Sequence, residues 1–192
     1  INNFYGLFGI YSIPMFVGIP LTMLLVIFIT NAINLIDGID GLASSICIVA
    51  LATFGLIFAL DRLWIFSLLS FTCLGVLVPF FIYNVFGKAE RGRKIFMGDT
   101  GSLALGGALA AIAILTKHEL SLAIVGGVFV IETLSSMIQL ISIIYFKKKI
   151  FKMAPIHHHF EQIGWAEQDI VKLFYVVGLL LAMVAIAYGV WL

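Results

Sequence analysis

Six long apolar runs, separated by short polar segments, limit more than any other feature what this chain can fold into. Most are about 17 to 27 residues long, enough for an α-helix to cross the roughly 30 Å hydrocarbon core of a bilayer. The chain is 62% hydrophobic and 11% charged, with a mean hydropathy of +1.17, whereas soluble domains are about 45–50% apolar. The runs lack the two-residue alternation of membrane β-barrels. We therefore predict an all-α, polytopic membrane protein in which residues 1–192 form a single membrane domain.

The apolar runs also predict where each helix crosses the membrane. The spans are expected at about Phe16 or Leu21 to Ile36, Leu42–Leu60, Trp64–Phe86, Ser102–Thr116, Leu120–Phe146 and Ile170–Leu192. The first 20 residues mix Gly and Pro with aromatic residues, which is typical of an interfacial loop. Cys47 and Cys73 lie inside apolar runs without Cys-x-x-Cys spacing, so we predict small buried side chains rather than a disulfide. Because the chain starts at Ile1 without an initiator Met or a signal peptide, we expect a fragment of a longer protein.

Three polar motifs interrupt the apolar pattern, at Asn31–Gly41, Lys94–Ser102 and Ala154–Glu161. An unpaired charge facing lipid costs several kcal/mol, so acidic residues at these places need an explanation. One explanation is helix capping by Asp40 and by Asp99 or Thr100. The other is a binding site, because carboxylates beside Lys and Arg at helix N-termini suit a divalent cation, Mg²⁺, that holds a phosphorylated ligand.

Basic residues are concentrated on one side of the predicted membrane domain. One side carries Lys88, Arg91, Arg93, Lys94, Lys147, Lys148, Lys149 and Lys152, whereas the other carries Arg62 and Lys117. The positive-inside rule assigns the richer side to the cytoplasm. Alternating the six spans from there predicts that all three polar motifs emerge on the cytoplasmic face and can form one site.

The third motif contains three consecutive histidines, His157, His158 and His159. We expect them to contact a phosphorylated substrate or to act in its chemistry, because a histidine can donate hydrogen bonds to phosphoryl oxygens. The alternatives are the remnant of a purification tag and a structural Zn²⁺ site, which lacks cysteines or suitably spaced partners. Glu132 lies inside the fifth span and is either a hydrogen-bonded packing residue or part of a polar cavity.

The motifs Asn31–Ala43, Phe96–Gly107 and Met153–Glu161 resemble those of the polyprenyl-phosphate N-acetylhexosamine-1-phosphate transferases. The last two are most similar to the bacterial branch that acts on the muramoyl-pentapeptide. The resemblance implies Mg²⁺-dependent transfer of a sugar phosphate from a UDP-sugar to undecaprenyl phosphate, with release of UMP. It also implies a place in peptidoglycan synthesis, in the bacterial inner membrane with the active loops facing the cytoplasm.

The same resemblance implies roles for individual residues. Asp99 would ligate Mg²⁺, and Asp37 and Asp40 would belong to the nucleotide and catalytic site. His157 and His158 would line the diphosphate and sugar region and take part in catalysis. The residues that would contact substrate are Asn34, Gly38, Asn84 near the nucleoside, Phe96 against uracil, and His159.

Two features depart from the family pattern. The family carries an aspartate pair in its N-terminal half, and no Asp-Asp occurs here, so we expect only the C-terminal part of the family fold. Phe4–Ile10 and Phe86–Lys94 are more similar to the relatives that transfer N-acetylglucosamine phosphate. UDP-N-acetylmuramoyl-pentapeptide is the predicted sugar donor, with UDP-N-acetylglucosamine as the alternative.

Other classes of function remain as alternatives to an enzyme. In an ion or solute transporter, Asp37, Asp99 and Glu132 would form a pathway spread through the depth of the membrane. A third interpretation is a fragment that binds a nucleotide without turnover. No nucleic-acid partner is expected, and a homodimer is an alternative to the monomer.

Overall fold

The computed structural model describes Ile1 and residues 11–189 of the chain. This part contains eight α-helices and no β-strand. The helices are α1 Met15–Ile36, α2 Leu42–Leu60, α3 Trp64–Phe86, α4 Gly98–Leu115, α5 Glu119–Val125, α6 Gly127–Ile141, α7 Ile156–Gln162 and α8 Glu167–Gly189. The Phe4–Ile10 motif lies outside the described residues.

Six of the helical segments in the described ranges are long and apolar enough to cross a bilayer. They are α1, α2, α3, α4, α8 and the segment Gly127–Phe146, in which α6 continues into a π-helical turn. A helix satisfies every backbone N–H and C=O within its own segment, which is the condition for placing a backbone in lipid. The all-α, multi-pass fold predicted from the apolar runs is therefore confirmed.

Two predictions about the spans need correction. Helix α1 begins at Met15 and contains Pro20, which agrees with the predicted start near Phe16, whereas the alternative start at Leu21 and an interfacial loop as far as Pro20 are wrong. The fifth predicted span is not one helix, because α5 ends at Val125 and α6 starts at Gly127. Two adjacent glycines, Gly126 and Gly127, have low helix propensity and allow the chain to change direction there.

Helix α2 forms the centre of the bundle and packs against α3 and α8, while α1 packs against α4 and α6. The buried side chains of α2 include Ile46, Phe54 and Phe58, all 1% exposed or less. Both cysteines are free, as predicted, and Cys47 is buried in this core, whereas Cys73, also predicted to be buried, is only partly so. At one end of the bundle, His118 after α4 contacts the Asp61 carboxylate after α2 at 3.2 Å. The three polar motifs lie in a different part of the bundle, near the end of α1 and the starts of α2 and α4.

Candidate active site

Asp99 lies in the first turn of α4 and is exposed. The side-chain amide of Asn34, near the end of α1, donates hydrogen bonds to Oδ1 of Asp99 and to Oγ of Ser102, both at 3.0 Å. Asn34 therefore holds the Asp99 carboxylate near the end of α1, and its second hydrogen bond, to Ser102, fixes the Asn34 amide against α4. The first and second polar motifs meet through these contacts.

Asp37 follows α1 directly and is partly buried. Burial, and after it repulsion from the negative charges of Asp99 and Asp40, together raise the pKa of Asp37 to about 6. Asp37 thus lies near two other carboxylates, which disfavour its charged form. A cation bound there would lower this repulsion.

Asp40, in the turn before α2, forms an ion pair with Lys94. Asn84, near the end of α3, is buried and joins the same group. Its amide donates to Oδ1 of Asp40 at 3.3 Å and to the carbonyl of Ile95 at 2.9 Å, and its Oδ1 accepts the N–H of Gly41 at 2.7 Å. Asn84 therefore ties the acidic turn to the segment that precedes α4.

Phe96 is 71% exposed, although it is a large aromatic residue. The Lys94 ammonium lies 5.4 Å from the centre of its ring, within the range of a cation–π contact. The two side chains present a flat apolar surface next to a positive charge, beside the Asp40 carboxylate.

Most of the third motif forms a short helix, α7, whereas the sequence analysis expected active loops on this face. Helix α7 begins at Ile156, directly after Pro155, which favours the first turn of a helix. His157 is fully buried, and its Nδ1 lies 3.0 Å from Oε2 of Glu132, which is also fully buried. Glu132 is therefore buried and hydrogen-bonded, as one of its two interpretations expected, and its partner is a histidine of the third motif.

Helix α7 packs directly on the acidic turn. A Cβ atom added to Gly38 would lie 2.6 Å from Nε2 of His157 and 3.4 Å from Nε2 of His158. Only a residue without a side chain leaves room for the His157 ring at this distance. The three polar motifs, far apart in the sequence, therefore meet in one place, as predicted.

The other two histidines have different environments. Nδ1 of His158 lies 2.5 Å from Oε2 of Glu161, one helical turn later. Nδ1 of His159 accepts the backbone N–H of Lys152 at 3.1 Å, and its ring packs against Phe151. His159 thus holds the loop before α7, and its contact with substrate stays a prediction.

The sequence analysis missed a polar stripe on α6 that fixes this loop. The stripe consists of Glu132, Ser135 and Gln139 on α6 and continues to Ser142 in the π-helical turn that follows. Ser135 Oγ accepts the N–H of Ile156 at 3.0 Å, and Gln139 Oε1 accepts the N–H groups of Ile150 and Phe151, both at 3.0 Å. The spacing of three, four and three residues places these side chains on one helix face, and it was the signal available in the sequence.

Neither Asp40 nor Asp99 caps a helix. The N-cap residues of α2 and α4 are Gly41 and Met97, and neither helix start has a side-chain capping hydrogen bond. The capping interpretation is therefore wrong for both aspartates. Among the described residues no group of three or more His, Cys, Asp or Glu side chains is arranged to hold a metal ion by itself, and this applies to the histidines and to the aspartates alike.

Comparison with known proteins agrees with this geometry. The family model of glycosyl transferase family 4 matches residues 1–117. The phospho-N-acetylmuramoyl-pentapeptide-transferase of Halalkalibacterium halodurans is 46% identical over 91% of this chain and 52% of its own length. Those of Bacillus cytotoxicus and Bacillus pumilus are 47% and 42% identical over 85% and 98% of this chain, and 49% and 61% of their own lengths. This chain thus spans about half the length of the curated relatives it matches. The family resemblance of the three motifs is confirmed, and the chain belongs to glycosyl transferase family 4.

Proposed function

We propose that this chain supplies the nucleotide-sugar half of a phospho-N-acetylmuramoyl-pentapeptide transferase. The reaction transfers the phospho-sugar from UDP-N-acetylmuramoyl-pentapeptide to undecaprenyl phosphate and releases UMP. The observation that carries the proposal is the meeting of Asp99, the Asp37–Asp40 turn and the histidines of α7 in one place. The relatives that match most of this chain at 42–47% identity are named as transferases of this kind, and their names support the proposed reaction.

The carboxylates of this site fit a magnesium ion. Mg²⁺ is usually held by one or two carboxylates together with substrate phosphates, rather than by a complete cage of protein ligands. Asp99, exposed and oriented by Asn34, would hold the ion, with Asp37 beside it; burial and the nearby carboxylates of Asp99 and Asp40 raise the pKa of Asp37. When bound, the ion would neutralise charge on the diphosphate of the UDP-sugar.

The remaining residues bind and orient the two ends of the UDP-sugar. The exposed ring of Phe96 offers a face on which uracil can stack, next to the Lys94 ammonium. His157 and His158 direct their Nε2 atoms to Gly38, where they can donate hydrogen bonds to diphosphate or sugar oxygens. The diphosphate would then lie between the Phe96 and His157 sides of the site.

A helix rich in hydrogen-bond donors favours the muramoyl sugar over N-acetylglucosamine. Muramoyl-pentapeptide carries a lactyl group and a peptide, with several carbonyl and carboxylate oxygens. N-acetylglucosamine presents mainly hydroxyls and one acetamide. Imidazole N–H groups donate strong hydrogen bonds to the carbonyl and carboxylate oxygens of the muramoyl-pentapeptide, especially to the charged ones.

Orientation and location complete the proposal. Lys88, Arg91 and Arg93 precede the second motif and Lys147–Lys149 precede the third, so we place the site on the cytoplasmic face of the bacterial inner membrane. The acceptor phosphate would reach it from the adjacent leaflet. Transfer requires the acceptor oxygen to be aligned with the β-phosphate, and we expect residues outside this chain to contribute to that step.

The test has two parts. The purified chain should bind UDP, and binding should strengthen with Mg²⁺, as measured by calorimetry in detergent micelles. A transporter would not bind UDP. A chimera of residues 1–192 placed after the N-terminal half of the Halalkalibacterium halodurans transferase should release UMP when given UDP-N-acetylmuramoyl-pentapeptide and undecaprenyl phosphate. Binding without UMP release by the chimera would reduce the function to nucleotide binding.

A further inference from the structure

The pair formed by Glu132 and His157 lies beneath the proposed site. Both side chains are 0% exposed, and Oε2 of Glu132 lies 3.0 Å from Nδ1 of His157. The same oxygen lies 3.5 Å from the backbone nitrogen of His157. A buried carboxylate is strongly destabilising unless a donor satisfies it, so this contact defines how the imidazole is placed.

The second ring nitrogen of His157 has no hydrogen-bond partner among the described residues. This Nε2 atom is buried and points to Gly38, where an added Cβ would lie 2.6 Å away. Leaving a buried polar atom unpaired is unfavourable, because the atom has lost its hydrogen bonds to water. A ligand oxygen that enters beside Gly38 would satisfy this atom.

Glu132 is not needed to hold the backbone of the loop. Ser135 accepts the N–H of Ile156 at the start of α7, and Gln139 binds the backbone of Ile150 and Phe151. What the Glu132 carboxylate contributes beyond these contacts is made to His157, to the imidazole ring at 3.0 Å and, at the longer distance of 3.5 Å, to the backbone N–H of the same residue. Its role can therefore be separated from the general stability of the loop.

We infer that Glu132 is a positioning residue for His157. By accepting a hydrogen bond from Nδ1–H, the carboxylate fixes the rotation of the ring and leaves Nε2 facing the acidic turn. There Nε2 accepts a hydrogen bond from a hydroxyl of the UDP-sugar when the ring is neutral, and donates one to a phosphoryl oxygen when both ring nitrogens carry a proton. This inference deepens the proposed function and rests on it for the identity of the ligand. In metal sites, a carboxylate behind a histidine acts in the same way on ring orientation and tautomer.

The protonation of His157 tests the pair without any catalysis. The chain contains four histidines, and ¹⁵N-histidine NMR distinguishes a protonated from an unprotonated ring nitrogen. The His157 signals are assigned by elimination, using single Asn variants of His118, His158 and His159, so that the buried pair stays intact. We expect a proton on Nδ1 of His157 at neutral pH. An unprotonated Nδ1 would mean that Glu132 donates rather than accepts, and would overturn the inference.

Transfer by the chimera tests the functional consequence. Glu132→Gln keeps the shape of the side chain but removes its charge and supplies an amide that can donate to Nδ1. We expect transfer to fall on the order of 10- to 100-fold, the effect of losing such a partner in metal sites. In a His157→Asn background, Glu132→Gln should change transfer less than about 2-fold, because the ring through which Glu132 acts is absent.

A control on the same helix separates positioning from structure. Gln139→Ser removes contacts to the loop backbone but none to His157, so it should lower transfer by the same factor with and without His157. If Glu132→Gln also lowers transfer by the same factor with and without His157, Glu132 has only a structural role and the inference fails. Glu132→Asp, which retains the charge, replaces Glu132→Gln if the latter does not fold. If the chimera shows no transfer at all, the proposed function is overturned. The NMR result then decides by itself whether Glu132 accepts a hydrogen bond from Nδ1 of His157.

Discussion

Gly38→Ala tests whether α7 and the acidic turn pack as closely as the structure indicates. The added Cβ would lie 2.6 Å from Nε2 of His157, a contact that real Cβ atoms do not make. The His157 ring cannot simply rotate away, because Glu132 holds its other nitrogen and both side chains are buried. Overpacking of this kind costs about 1–3 kcal/mol.

We expect Gly38→Ala to lower the thermal unfolding midpoint of the chain in detergent micelles and to weaken UDP-sugar binding measured by calorimetry. Gly75→Ala is the matched control, because a Cβ at Gly75 in α3 meets no atom within 4 Å. There the substitution should be neutral or stabilising, since Ala favours a helix by about 0.8–1 kcal/mol over Gly.

A second-site change shows whether the clash is the cause. His157→Ala removes the ring, so Gly38→Ala combined with His157→Ala should unfold no earlier than His157→Ala alone. Binding of the UDP-sugar should stay weak in this double variant, because the Nε2 contact is gone. The reasoning is refuted if Gly38→Ala matches Gly75→Ala in both stability and binding.

Three further predictions concern the metal, the topology and the sugar. Asp99→Asn retains the hydrogen bond from Asn34 but removes a charge, so the chain should fold normally and lose the Mg²⁺ enhancement of UDP binding; unchanged enhancement would exclude Asp99 as the ligand. Single cysteines at Gly92 and Glu161 should react with an impermeant reagent only from the cytoplasmic side, and one at Arg62 only from the opposite side; labelling of the first two from opposite sides would exclude a shared cytoplasmic site. In competition at equal concentrations, the chimera should transfer phospho-N-acetylmuramoyl-pentapeptide in preference to N-acetylglucosamine phosphate. The reverse preference would change the sugar and leave the reaction class intact.

The sequence predicted that the three motifs meet, but only to the extent that all three emerge on the same face of the membrane. Counting basic loops placed the three motifs on one side, and alternation of the spans is insensitive to small errors in helix bounds. The contact of Asn34 with Asp99, and of α7 with Gly38, depends on which helices are neighbours. Apolar runs do not encode that choice, because every face of such a helix is compatible with lipid.

The amino-acid sequence alone determined the membrane class, the six spans and the family motifs, because the length of an apolar run and the identity of a motif are local properties. The break at Gly126 was also encoded locally, by two glycines, and was overlooked. Only the tertiary structure decided that Glu132 faces His157 and that Gln139 holds the loop before α7. The reason is physical: a buried polar side chain in an apolar helix must find a partner, but the partner is set by packing between segments distant in the chain.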